Sequence, residues 1–260
     1  MHLGPARDEW GRSSPRRGLS GGGFMRRIAA MMVTCVLLVA TGCSNRYQVR
    51  LDETLKEMKY NKRLDDNLEA APAEGKLKEL DIFVRPPKPM AASKEFLLGE
   101  VPAGQFDDTK TFFEGQKAFL HVIARKKQAK KPVAKGAAPE PQAARGPFNT
   151  DVIAVLKAIY PDEESLAPEK FKDDPKKGNA FKRVIFENSG KRVEVYLYKL
   201  EPYDVALIFQ YDPAEKAALA SKINLCLESF AIGPKAHAKY ANPNGSGEEE
   251  SSEPSGPAAF

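Results

Sequence analysis

The 260-residue chain carries little soft or imidazole chemistry: three cysteines (Cys35, Cys43, Cys226) and three histidines (His2, His121, His237). Neither His121 nor His237 has a second His, a Cys or paired carboxylates at ligand spacing, so no metal centre is expected. Asp107-Asp108 and Asp173-Asp174 are adjacent carboxylates without a calcium-loop pattern, and read as loop acids. No Gly-rich phosphate loop, nucleophile elbow or zincin helix occurs. The sequence therefore names no catalytic residue and calls for no cofactor. Two kinds of chemistry remain. Cys43 offers a thiol behind a run of small residues. Tyr196 and Tyr198 point to one face of a predicted strand, where rigid amphipathic rings suit a partner surface. A helix laid over that face would bury both as core instead.

Cys43 stands at the end of a recognisable arrangement. Met25-Arg26-Arg27 is a short positive region, and Ile28 to Val39 is an apolar run of signal-peptide length. A membrane-spanning helix needs roughly 20 apolar residues, more than this run supplies. It closes on Val39-Ala40-Thr41-Gly42-Cys43. This sequence resembles the bacterial lipobox, with Gly42 and Cys43 on the two critical positions and Ala40 where Leu is commonest. The resemblance implies that the Cys43 thiol is alkylated by a diacylglyceryl group and the chain cut just before it, leaving a membrane anchor. One acyl chain binds a bilayer only marginally, whereas two or three hold it stably. Ser44 follows, and the absence of Asp there points to the outer membrane over the inner. Residues 1–24 read as an extension from a misplaced start codon, with Arg16-Arg17 as a poor alternative twin-arginine signal. The expected order is then extension 1–24, signal peptide 25–42 and a lipidated Cys43 opening a charged helical spacer, 43–75.

Charge and cysteine usage agree with export. The whole chain has 40 basic and 35 acidic residues, a net +5, but residues 1–42 hold six arginines against Asp8 and Glu9. Without them the balance is 34 against 33, which gives no reason to expect nucleic acid. Cys35 leaves with the signal and Cys43 is acylated, so Cys226 has no disulfide partner.

The mature chain divides by composition. Residues 46–70 alternate acids and bases around Leu51, Leu55, Met58, Leu64 and Leu68, and read as a solvated helix, either a spacer or a partner-binding arm. Residues 76–125 are extended, with strands at 80–84 and 118–124 separated by Arg85-Pro86-Pro87-Lys88-Pro89. Residues 126–147 form a Lys/Ala/Pro linker; with Arg125 the basic run holds seven cations against Glu140 and no interleaved aromatic. The α/β core is 148–233, joined by strand 117–125. It begins with a helix from Thr150, a candidate cap, to Tyr160, with Val152, Val155, Leu156 and Ile159 on one face. Residues 162–179 read as loop. Strands follow at 180–187, 191–200 and 203–211, the first pair joined by Asn188-Ser189-Gly190-Lys191. Val205-Ala-Leu-Ile-Phe209 is apolar throughout, which predicts a central strand. Asp212, Pro213 and Glu215 read as the capped start of a helix that buries Leu219, Ile223, Cys226 and Phe230. Residues 231–233 make a last short strand, and 234–260 an acidic disordered tail.

This predicts an α+β fold: an antiparallel sheet flanked by helices, sandwich-like. Arg192-Val-Glu-Val-Tyr-Leu-Tyr198, Tyr203-Asp-Val-Ala-Leu-Ile-Phe209 and a helix closing on Leu227-Glu-Ser-Phe230 resemble the end of PsbP-like domains. The resemblance is carried by residues 180–233, and implies an α/β/α sandwich over about 117–233 and a docking or assembly role without a shared catalytic set. The expected function is a non-catalytic envelope lipoprotein, held to the membrane through Cys43 and docking an envelope protein. The alternative is a small-ligand binder or enzyme with a pocket between sheet and helices.

Overall fold

A computed structural model describes residues 47–127 and 145–241. Cys43, the signal segment, residues 128–144 of the basic linker and the chain beyond Ala241 lie outside the described residues. The chain divides into two compact units at Lys56/Glu57. Of the first, residues 47–56 are described and are helical throughout, with the Thr54 hydroxyl donating to the Arg50 carbonyl at 2.9 Å. Of the second, residues 57–67 are likewise helical and are labelled α1.

The second unit is built on seven antiparallel strands in the order β2-β3-β4-β8-β7-β6-β5. These are β2 (Ala91–Ala92), β3 (Asp108–Glu114), β4 (Ala118–Lys126), β5 (Lys172–Lys176), β6 (Asn179–Asn188), β7 (Lys191–Leu200) and β8 (Tyr203–Tyr211). A separate two-stranded ribbon joins β1 (Ile82–Phe83) to β9 (Ala231–Ile232). The helices are α2 (Lys76–Glu79), α3 (Phe148–Ile159), α4 (Lys216–Ser229) and α5 (Pro234–Ala241).

Period-two alternation sends each strand's side chains to opposite faces, and both faces are covered. On one, Leu120, Val122, Tyr196, Val205, Leu207 and Phe209 pack with Leu64 of α1, with Leu68 just after it, and with Leu219, Ile223 and Cys226 of α4. On the other, Ile123, Val193, Val195, Leu197 and Ile208 pack with Phe148, Val152 and Leu156 of α3. The central β8 is buried from Tyr203 to Phe209, as an unbroken apolar strand between two layers requires. The fold is therefore the expected α+β architecture, an antiparallel sheet flanked by helices.

Local details differ from the sequence reading where tertiary contacts outweigh composition. Residues 57–68 are no free spacer: Leu64 in α1 and Leu68 just after it are buried in the core. Asp108 opens β3, a strand whose polar first half hid it, so Asp107-Asp108 is not a loop pair. Asp173 and Asp174 likewise lie in β5, an edge strand that tolerates Pro175 because one side of its backbone needs no partner. Thr150 sits inside α3, which starts behind Pro147 without a side-chain cap. Asp212 caps a short 3-10 turn (Pro213–Glu215) by backbone alone, and its carboxylate pairs with Lys191 at 2.6 Å. Residues 234–241 form a helix: Tyr240 donates to the Ile82 carbonyl at 2.6 Å and packs edge-on to Phe83. The hairpin turn between β6 and β7 holds Ser189 at φ 50° and Gly190 at φ 73°, the left-handed pair that matches strand twist.

Candidate functional site

The expected partner surface is split by the layer that covers it. Tyr196 is 1% exposed, and its hydroxyl donates to Glu194 Oε2 at 2.7 Å. It cannot meet a partner in the folded state, because α1 and α4 share the core on that face. Tyr198 is only half-buried, between Phe181 (ring centroids 5.2 Å) and Phe230 (5.1 Å). Leu200, two residues on and on the same face, is 51% exposed.

Beneath this edge lies the most concentrated buried chemistry among the described residues. Arg192, Glu194 and Tyr196 follow one another on one face of β7, and Tyr211 stands opposite Arg192 on β8. Glu194 Oε2 accepts from Tyr196, and Oε1 accepts from Tyr211 at 2.5 Å and from Arg192 Nε at 2.9 Å. Burial alone would raise the Glu194 pKa. The hydrogen bonds from Tyr211, Arg192 and Tyr196 outweigh it and hold the carboxylate below its usual range. Burial, reinforced by the Glu194 charge, pushes both phenols well up. A carboxylate with three donors and tyrosines far from ionising form a closed network. It holds no spare base and no nucleophile.

The opposite face carries the imidazole. His121 stands directly across from Thr111 on β3 and is 1% exposed. Thr111 Oγ1 accepts from the Leu97 backbone N–H at 3.0 Å and lies 3.0 Å from His121 Nδ1. The two groups share one hydrogen bond, whose direction follows the ring tautomer. Nε2 has no hydrogen-bond partner. Phe119 stacks on the ring at 5.8 Å and Phe96 meets it edge-on at 5.7 Å. Burial lowers the His121 pKa to about 4, partly offset by the nearby Gln210 side chain, so the ring is neutral at ordinary pH.

Two other groups with reactive names are also spent internally. Cys226 is buried on α4 as a core residue, and burial pushes its thiol up to about 12. Arg125 belongs to β4 rather than to the basic linker. It pairs with Asp151 of α3, donates to Gly146 O at 2.9 Å and Gln105 O at 3.1 Å, and lies over Phe106 and Phe148. It is a bolt fixing the start of α3. Both ends of the basic linker meet at Asp107, which accepts from the Lys126 backbone at 2.8 Å and from Arg145 at 2.9 Å. His237 is exposed on α5, and no cluster of three His, Cys, Asp or Glu side chains occurs among the described residues.

Sequence reasoning missed the Glu194 network, although a signal was present: an Arg, a Glu and a Tyr at i, i+2 and i+4 on one face of a confident strand. The His121–Thr111 pair needed β3, which was not visible in the sequence.

No family model and no curated protein matches the chain. Among solved structures, the chain is similar to the solution structure of cyanobacterial PsbP (CyanoP) from Synechocystis sp. PCC 6803. The TM-score is 0.37 at 11% identity, over 64% of this chain and 93% of that one. It is also similar to a protein from Bacteroides thetaiotaomicron VPI-5482, with a TM-score of 0.36 at 8% identity over 64% of this chain. There it spans about half of the other protein's length, 48%. Likeness at this level assigns neither family nor activity.

Proposed function

We propose that this chain is a cell-envelope lipoprotein, anchored through acylated Cys43, that docks a protein partner and performs no chemistry of its own. The observation that carries the reading is the sequence Val39-Ala40-Thr41-Gly42-Cys43 closing a short apolar run behind Arg26-Arg27. The engagement of Glu194, Cys226 and Arg125 inside the packed unit supports the non-catalytic half, since none is free to act on a substrate. Tyr198 with Leu200 is the candidate contact, a half-buried ring beside an exposed aliphatic side chain. Ser44 after the cysteine favours the outer membrane.

Mass spectrometry of the mature N-terminal fragment tests the anchor. The expected fragment begins at Cys43, carries a diacylglyceryl thioether and sediments with membranes, and Cys43→Ala abolishes the modification. A mature chain beginning elsewhere and without lipid overturns it. Crosslinking in intact cells tests docking: an envelope partner captured by the wild type and lost with Tyr198→Ala and Leu200→Ser supports it. Full recovery of the same partner with both variants removes this surface from the proposal.

A further inference from the structure

We propose that the first unit of the chain, helical residues 47–56, lies along the membrane surface with Tyr47, Leu51 and Leu55 set among the lipid headgroups; this rests on the acylation of Cys43 proposed above. The three side chains follow at i, i+4 and i+8 and occupy a sector about 80° wide at 100° per residue. All three are exposed, at 69%, 45% and 43%. Glu53 and Lys56 fall on the opposite half of the helix, together with the smaller Val49.

The occupant follows from where the chain leaves the bilayer. Only Ser44, Asn45 and Arg46 separate Cys43 from Tyr47. Four Cα–Cα steps reach at most about 14 Å, so Tyr47 is tethered within reach of the headgroups. Tyr is at home there, with its ring in the apolar boundary and its hydroxyl in water. A helix standing upright as a stalk would gain nothing from a one-sided apolar stripe. A second copy of the chain is the weaker occupant. The exposed stripe runs only from Tyr47 to Leu55, less than one and a half heptads, and so offers too short a seam for a stable pair of helices. The bilayer needs no such length, because the acyl chains make helix binding an intramolecular event.

The test uses the protein as the cell processes it, with Trp10→Phe so that no tryptophan remains even in a chain that keeps its first 42 residues. One tryptophan is then placed at Leu51, Leu55, Glu53 or Lys56. Each variant is incorporated into phosphatidylethanolamine–phosphatidylglycerol vesicles whose acyl chains carry bromine near the headgroup. For burial about 5–10 Å into the headgroup boundary, bromine should quench Leu51→Trp and Leu55→Trp roughly threefold more than Glu53→Trp and Lys56→Trp. Equal quenching at all four positions in an acylated protein overturns the proposal while the anchor stands. A chain found without lipid that still shows the positional difference on added vesicles supports the helix and overturns the anchor. A chain without lipid and without the difference overturns both.

Discussion

Glu194 and His121 sit on opposite faces of the same sheet, both buried, and the protein stabilises them in opposite ways. Glu194 is kept charged by three donors that close around it. His121 is kept neutral by aromatic walls and one threonine hydroxyl, with Nε2 left unpartnered. A buried charge persists only where partners outweigh desolvation; a titratable group with one weak partner gives up its charge instead. The contrast teaches that a polar residue at a core position is not by itself a site. What matters is whether its neighbours leave it anything to do.

Breaking the closed side should cost most. Glu194→Ala strands two buried phenols and Arg192, and by analogy with other buried pairs should lose about 3–5 kcal/mol, roughly 10 °C in Tm. Glu194→Gln, which keeps an acceptor, should lose clearly less. Equal and small losses in denaturant titrations would mean that water replaces the carboxylate without penalty.

The open side should announce itself through acid. The folded His121 pKa of about 4 lies below the unfolded value near 6.5. Between these pH values the unfolded chain holds the extra proton, so stability is full above about pH 6.5 and falls as pH drops toward 4. The loss attributable to this ring is about 3 kcal/mol, and His121→Phe should remove that slope. Glu194 works in a lower window: its pKa is depressed, so its contribution is lost only as pH falls below the ordinary carboxylate range. Urea titrations from pH 7.5 to 4 on wild type and His121→Phe separate the two, and parallel pH profiles would refute the assignment.

Thr111→Val sharpens the comparison from the other partner. It leaves the Leu97 N–H and His121 Nδ1 unpaired at once, at about 1–3 kcal/mol. Amide exchange at Leu97 should quicken. The smallest effect lies away from both faces. Ser189 holds φ 50° in the β6–β7 turn, where Ser189→Gly should change stability by less than about 1 kcal/mol, toward greater stability. A loss seen by thermal melting would show that the Ser189 hydroxyl, which donates to Asn188 at 2.9 Å, matters more than backbone freedom.

Legibility in the sequence followed the apolar periods. Val193, Val195 and Leu197, the run Val205–Phe209 and the face of α3 were readable because burial demands them. β3 and β5 were not, since Asp108-Thr-Lys110 and Lys172-Asp-Asp-Pro175 look like loop when only pairing with a neighbour makes them strand. Of the two tyrosines, period two placed both on one face, but only the packing of α1 and α4 decided that Tyr196 is core while Tyr198 stays half-open. Arg125 was absorbed into a basic run by its neighbours in sequence, whereas its partners Asp151 and Gly146 come from the far side of that run.

That crossing of contacts fastens the sheet on both sides of the segment. Asp107 grips the chain at Lys126 and again at Arg145, while Arg125 reaches Gly146, so entry and exit of the segment are both fastened. Lengthening a connection whose ends are already held costs only about 0.6 kcal/mol for each doubling. An epitope inserted between residues 127 and 145 is therefore expected to leave the melting temperature of the scaffold nearly unchanged, and a thermal melt of the tagged protein checks it.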